Sequence, residues 1–241
     1  MTSVTDERLF GKSSSPEFVG TALLDTIGLV VPSVEKELKT AANIPDEICA
    51  VGLISSRTGA AGQILAADEA VKATNCTVIS IELPRDTKGW GGHGNYIVLG
   101  GKTVSDARRG VEIALELINK HAGEVYISEA GHLEFAFSSC ADEALKMAFG
   151  AEVGKAFGFI AASPAAIGFV LADSTLKSFS VKLIKYMSPS FGTSHSNEVI
   201  IAFTGETSDV KAAVISAREK GMELLTSLGS LPLSPGVPYI K

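Results

Sequence analysis

The side chains best suited to chemistry gather in two polar loops. The first, Pro84–Asn95, reads P-R-D-T-K-G-W-G-G-H-G-N and sets Lys88 and His93 among four glycines. Glycine frees the backbone to turn N–H groups inward on an anion, and Lys88 would add charge. Yet the spacing is neither G-x-G-x-x-G at a helix start nor a Walker loop closed by G-K-[ST], and a strand pattern follows instead of a helix. A nucleotide site is not expected there. The second loop, Ser188–Asn197, reads S-P-S-F-G-T-S-H-S-N and holds the adjacent trio Ser194, His195 and Ser196. Adjacency does not supply triad geometry, no G-x-S-x-G elbow occurs, and the nearby Glu198 and Glu206 are ordinary companions of strands. The four histidines, His93, His121, His132 and His195, show no H-x3-H pair and no neighbouring cysteine, so no metal site is expected. No catalytic residue and no cofactor follows from these residues. The loops do offer hydroxyls, amides and bare backbone, groups that replace water's hydrogen bonds to a small polar solute.

The elements that must carry these loops are written twice in the chain. Asp68, in A-D-E-A-V-K, recurs 105 residues on as Asp173, in A-D-S-T-L-K. Asp106, in T-V-S-D, recurs 103 residues on as Asp209, in E-T-S-D. So small a drift marks one unit present twice, with deletions confined to loops. The match extends upstream, where Val34–Ala41 parallels Ala141–Ala148 with Leu38 opposite Leu145, so the unit begins near Glu17. The expected division is a flexible arm at 1–16, a first domain at 17–121, a second at 122–228 and an extended tail at 229–241.

Each copy reads β-α-β-α-β-loop-β-α. Strands are expected at Cys49–Ser55, Thr77–Ile81 and Tyr96–Leu99, and at Phe157–Ala161, Leu183–Tyr186 and Val199–Phe203, where β-branched and aromatic residues dominate. The closing helices carry the clearest period: Ala107, Val111, Ala114, Leu115 and Ile118 share one face, as do Val210, Val214, Ala217 and Leu224. Ser105 and Ser208 are expected to cap them. The middle helices start at Gly62 and Gly168, with Ile64, Ala67 and Val71, and Val170, Ala172 and Leu176, expected to face inward.

Composition narrows the function classes. At 241 residues with 46% hydrophobic content the chain can bury the cores of two α/β domains. A net charge of −6 argues against a nucleic-acid surface. The polar start lacks the apolar stretch of a signal peptide, and the longest apolar runs, such as Phe157–Ile167, are too short and broken to span a membrane. Cys49, Cys76 and Cys140 are odd in number and lack C-x-x-C spacing, which fits small buried side chains in a reducing compartment.

The repeated residues resemble a known family. Gly62–Val78 resembles the G-x-x-x-A-A-D-x-x-x-K-x-x-x-V segment of bacterial microcompartment shell domains, and Gly168–Val181 is a version one residue tighter between Gly and Asp. The helix ahead of each core resembles the circularly permuted form, and two such domains in one chain resemble the tandem, trimer-forming shell proteins of the propanediol- and ethanol-utilisation type. The stretches E-F-V-G-T-A, I-E-L-P-R-D-T-K-G, E-A-G-H-L-E, S-P-x-x-G-T-S, S-A-R-E and P-Y-I-K carry that likeness from Glu17 to the C-terminus.

The resemblance implies an α/β (α+β) fold of two permuted shell domains, each a mostly antiparallel sheet flanked by helices. It implies a homotrimer closing into a pseudohexameric tile in a cytoplasmic organelle shell, meeting other shell proteins and encapsulated enzymes, with no enzyme activity, nucleic acid or membrane. It places the two loops at pores that pass small polar metabolites such as a diol, an alcohol or an aldehyde. The solute-contacting candidates are Asp86, Lys88, Gly89, Gly91, Gly92, His93, Gly94 and Asn95 in the first loop. In the second they are Ser188, Ser190, Gly192, Thr193, Ser194, His195 and Asn197. It also puts Lys72 and Lys177 at the tile edge. The alternative is a trimeric small-molecule-binding regulatory protein that does not tile.

Overall fold

The computed structural model describes residues 15–85 and 93–241. The expected arm therefore lies almost wholly outside the described residues, as do Asp86, Lys88, Gly89, Gly91 and Gly92.

The first unit runs β1 (Glu17–Ala22), β2 (Thr26–Val31), α1 (Lys36–Ala41), β3 (Ala50–Ser56), α2 (Ala61–Lys72), β4 (Thr77–Glu82), β5 (Asn95–Gly101) and α3 (Val104–His121). The second runs β6 (Val125–Ser128), β7 (Gly131–Ser138), α4 (Glu143–Phe149), β8 (Ala156–Ser163), α5 (Ala165–Ser178), β9 (Val181–Met187), β10 (Val199–Gly205) and α6 (Thr207–Thr226). Both form five-stranded antiparallel sheets, in the orders β1-β2-β3-β5-β4 and β6-β7-β8-β10-β9. The sequence pattern finds one strand ahead of each first helix where the chain has a hairpin of two. Short strands such as T-I-G-L-V-V, interrupted by glycine, give too brief a period-2 signal to be counted separately.

One face of each sheet carries the two longer helices. Val111 of α3 lies where side chains on Gly28 and Gly52 would stand, so those glycines let α3 settle on β2 and β3. The expected face of α3 is buried throughout; in α6, Val210, Val214 and Ala217 are buried, with Leu225 more so than Leu224. The caps differ from expectation. Thr103 caps α3, accepting from Asp106 N at 3.1 Å, while Ser105 and Ser208 sit inside their first turns. Cys76 is buried, but Cys49 and Cys140 are exposed, because both sit beyond the sheets in connecting segments.

The other face of each sheet is treated unequally. In the second unit, Ala136, Phe157, Phe159, Ala161, Ile200 and Ala202 join the core of the first unit through α4 and α2, making one apolar cluster across the domain boundary. In the first unit the matching face forms only a small satellite of Val34, Ile44, Ile48, Val51 and Val98. No helix among the described residues is long and apolar enough to cross a membrane.

Candidate functional site: the domain junction and the loop between β9 and β10

The junction between the units is built on α2. Asp68 and Lys72 stand one turn apart, and Lys72 Nζ donates to Asp68 Oδ2 at 2.7 Å. Across the boundary Asp68 Oδ1 accepts from the amides of Asp142 at 3.0 Å and Leu145 at 3.1 Å, at the start of α4. A carboxylate there satisfies donors that the helix cannot pair internally and meets the positive end of its dipole. Lys72 also donates to the Cys140 carbonyl. Burial pushes the Asp68 pKa up, and the Lys72 bond and the two amides pull against that rise. Lys72, expected at the tile edge, is thus committed at this boundary with 29% of its side chain exposed.

Deeper in the same boundary lies a buried ionisable cluster. His93, entering β5, pairs through Nδ1 with Glu198 Oε1, and His132 Nε2 meets Glu198 Oε2 at 3.1 Å. Glu134, two residues beyond His132 on the same face of β7, accepts from the amides of Ala60 and Ala61 at 3.4 Å each, at the start of α2. Burial raises the Glu198 pKa, but the hydrogen bonds from His132 and His93 outweigh it and hold the carboxyl at about 2. Glu134 goes the other way, raised chiefly by burial. Among the described residues no three acidic, histidine or cysteine side chains are arranged to share a metal ion.

Of the solute-contacting candidates in the first loop, the three described residues are buried and not open to solvent. His93 is 3% exposed, Asn95 is fully buried with Nδ2 donating to the Gly59 carbonyl at 2.9 Å, and Gly94 is buried. His93 ties the loop's end to the second domain through Glu198, while Asn95 and Gly94 hold it to the first through the Gly59 and Pro84 carbonyls. In the second loop Thr193 is fully buried, its hydroxyl donating to the Ser196 carbonyl at 3.1 Å. Asn197 is exposed but caps α5 through Ala165 N at 3.2 Å. Ser190, Gly192, Ser194 and His195 are exposed and Ser188 is half-buried. Ser194 and His195 hold φ of 49° and 66°, a conformation costly for side-chain-bearing residues, so this turn is fixed by its own hydrogen bonds, including His195 N to the Pro189 carbonyl at 2.8 Å. Phe191, which polarity-based reasoning passed over, stands beside them with 65% of its surface exposed.

Among the described residues, nothing covers the outer face of α5 as α4 covers that of α2. Asp173 and Lys177 repeat the Asp68–Lys72 pair at 2.7 Å, but their side chains are 49% and 74% exposed. Ile64 and Leu65 are fully buried, whereas their repeats, Phe169 and Val170, are 58% and 42% exposed. Two of the three positions expected to face inward on α5 do not: Val170 and Leu176 point out, while Ala172 points in with Gly168, Leu171 and Thr175. On the far side of the first unit, α1 has no side-chain cap and Leu38 is 58% exposed, whereas its repeat Leu145 is fully buried.

A second polar anchor closes the chain. Glu124, fully buried in the 3-10 turn Ala122–Glu124 after α3, accepts from Tyr239 N at 2.7 Å, Ile240 N at 2.8 Å and Arg218 Nη1 at 2.9 Å. Leu233 pairs with Ile127 of β6 through two 2.9 Å backbone bonds. The tail crosses directly over Gly123, where a side chain would collide with the Val237 carbonyl.

Two permuted sheet-and-helix units, joined through a built boundary and exposing the repeats of that boundary at both ends, define a tandem shell-type fold. The BMC domain model matches residues 50–130 and 156–232. The chain is 49% identical over 227 residues to the bacterial microcompartment shell protein PduB of Citrobacter freundii, covering 94% of this chain and 84% of that one. It superposes on the crystal structure of a trimeric bacterial microcompartment shell protein PduB with a TM-score of 0.89 and 43% identity, covering 93% of this chain and all of that one. EtuB from Clostridium kluyveri gives a TM-score of 0.90 and 47% identity, covering 92% and 98%. The chain belongs to the bacterial microcompartment shell proteins, and its role is structural.

Proposed function

We propose that three copies close into a pseudohexagonal tile of a microcompartment shell, of the propanediol- or ethanol-utilisation type, with passages for small polar metabolites. One observation carries this reading: the two faces left open on the chain are the repeats of the two faces that bury each other within it. The α2 face of the first unit meets the α4 face of the second. The α5 face of the second and the α1 face of the first have no partner among the described residues. Joining α5 of one copy to α1 of the next adds the same rotation each time. Such heterologous contacts close into a ring when the rotation allows, and three two-domain chains give six near-equivalent positions. By analogy with Asp68, the Asp173 carboxylate would accept from Glu35 and Leu38 amides of the next copy, and Lys177 would donate to the Ser33 carbonyl there.

The division into domains at 17–121 and 122–228 belongs to this reading. The solute-contacting set is best supported at Ser190, Gly192, Ser194 and His195, which are exposed at the tip of the turn between β9 and β10. Enclosed enzymes and neighbouring tiles are the partners on the two faces and the rim. Light scattering on the full chain tests the reading: a trimer is expected for the native chain. Asp173→Lys, which sets a cation against the helix N-terminus, is expected to yield monomers with an unchanged circular dichroism spectrum. A native chain monomeric at every concentration overturns the ring.

A further inference from the structure

We infer that the open groove of the first domain is a socket for Phe169 of a second copy, with bulk and space transposed relative to the junction inside the chain. The inference rests on the ring reading and goes further, because it says why the open faces fit this chain in particular.

Inside the chain, the outer face of the second sheet is filled from its own side. Phe149 of α4 stacks on Phe157 at 5.7 Å and tilts against Phe159 at 5.1 Å, and all three rings are almost wholly buried. The helix that covers them offers modest side chains, Ile64 and Leu65. In the first domain the groove positions shrink. Leu38 matches Leu145, so Ala42 stands where Phe149 does. Strand register puts Ala50 opposite Gly101 and Ala156 opposite Gly205, so Val51 and Leu53 stand where Phe157 and Phe159 do. The missing rings leave a largely apolar cavity of about 320 Å³ lined by these residues and Leu38. An apolar cavity of roughly 150 Å³ accepts a benzene ring, so this one holds a phenyl group with room beside it. The helix that would cover it offers the missing bulk, since Phe169 stands where Ile64 does.

The occupant is therefore a second copy, seated as α2 sits on α4. Two other pairings are poor. A face like α2, with Ile64 in place of Phe169, would leave the socket partly empty, which costs cohesion. Phe169 against the filled face of the second domain would overpack it. The transposition thus favours rings made only of this chain over rings that admit shell domains with small residues at the helix position.

Light scattering over a dilution series tests this with the full chain. Ala42→Phe fills the socket from within at an exposed position and is expected to weaken assembly about tenfold or more while the monomer keeps its fold. Phe169→Ile alone is expected to weaken it by a similar factor. Combined, the two changes rebuild the inner junction's distribution of bulk and are expected to restore assembly to near the native level. Native-like assembly of Ala42→Phe, or a double variant no better than either single one, overturns the socket and leaves the ring reading standing. A native chain that never assembles overturns both. Should Ala42→Phe misfold, Leu53→Phe, which reproduces Phe159, takes its place with the same outcomes.

Discussion

At the scale of single residues, the histidines carry the largest revision. Polar loops rich in glycine and serine read as solvated because nothing in the local sequence reports a neighbour a hundred residues away. His93 and Glu198 illustrate this: each sits in a polar stretch, yet both are buried against each other at the domain boundary. The one local signal is His132-x-Glu134, a period-2 pair of ionisable groups in a strand, which puts both on one face. Glu198 makes a testable pH prediction. Its carboxyl lies at about 2 in the folded chain against an ordinary value of 4.5, so its ionisation favours the fold above pH 4.5. That contribution fades as the pH falls from 4.5 towards 2. Glu134, raised by burial, has the opposite sign: its proton favours the fold at low pH and the benefit is lost as the pH rises through its folded value. Replacing Glu198 by Gln removes the first effect and reduces the second, because the Glu198 charge adds to the rise of Glu134. Urea unfolding at pH 7 and pH 3.5 is expected to show a smaller loss on acidification for Glu198→Gln than for the native chain. An equal loss would place the acid sensitivity elsewhere.

Elements were more legible than contacts. Helices α3 and α6 announced themselves through a sustained 3.6 period, and the core strands through β-branched runs. The hairpins ahead of α1 and α4 did not, because glycine and short length blur alternation. The face of α5 differs for another reason: helix faces are inferred from apolar residues, and α5 has apolar residues on two faces, one for its own sheet and one without a partner among the described residues. The Asp68 contact is the template for the use proposed for that second face. Asp68→Ala strips two α4 amides of their acceptor and leaves Lys72 without its ion pair, and is expected to cost about 1–3 kcal/mol of chain stability. Asp173→Ala, on the open face, is expected to leave the stability of the monomer within about 0.5 kcal/mol and to weaken the trimer instead. Denaturant melts at low concentration beside light scattering at high concentration separate the two. The tail is a further case. Its prolines mark a chain without helix or strand period, but the P-Y-I-K ending is held by Glu124 and Arg218. Deleting residues 238–241 strips Glu124 of two amide donors in a buried site. A fall in melting temperature of several degrees is expected, since about 1 kcal/mol shifts a chain of this size by roughly 2–4 °C. An unchanged melting temperature would show the anchor to be ornamental.

For the whole molecule, the repeat settles how the chain divides its work. The inner junction is polar at depth, with Glu198, His93, His132 and Glu134 buried together. At the open junction the repeats of these positions are Gly94, Asn197, Asp25 and Ile27, and Ile27 is 38% exposed. One boundary is therefore permanent and tolerates buried charge because covalent linkage holds its partners in place. In the proposed ring the other would form between separate chains and would rely on apolar fit. The lysines bear on the next level, the contact between tiles. Lys72 spans the inner junction and Lys177, by repetition, the open one, so a ring would carry six lysines at equivalent places. Each makes an ion pair that is partly or largely exposed, and such pairs contribute only about 0–1 kcal/mol, too little for a ring to depend on. Their long apolar stems and donor groups are better used against a neighbouring tile. Lys72→Ala and Lys177→Ala are thus expected to leave the trimer intact by light scattering, while electron microscopy at high concentration shows fewer or smaller hexagonal sheets. Unfolding of Lys72→Ala, or sheets as extensive as those of the native chain, would remove these lysines from the tile edge and leave them to the junctions alone.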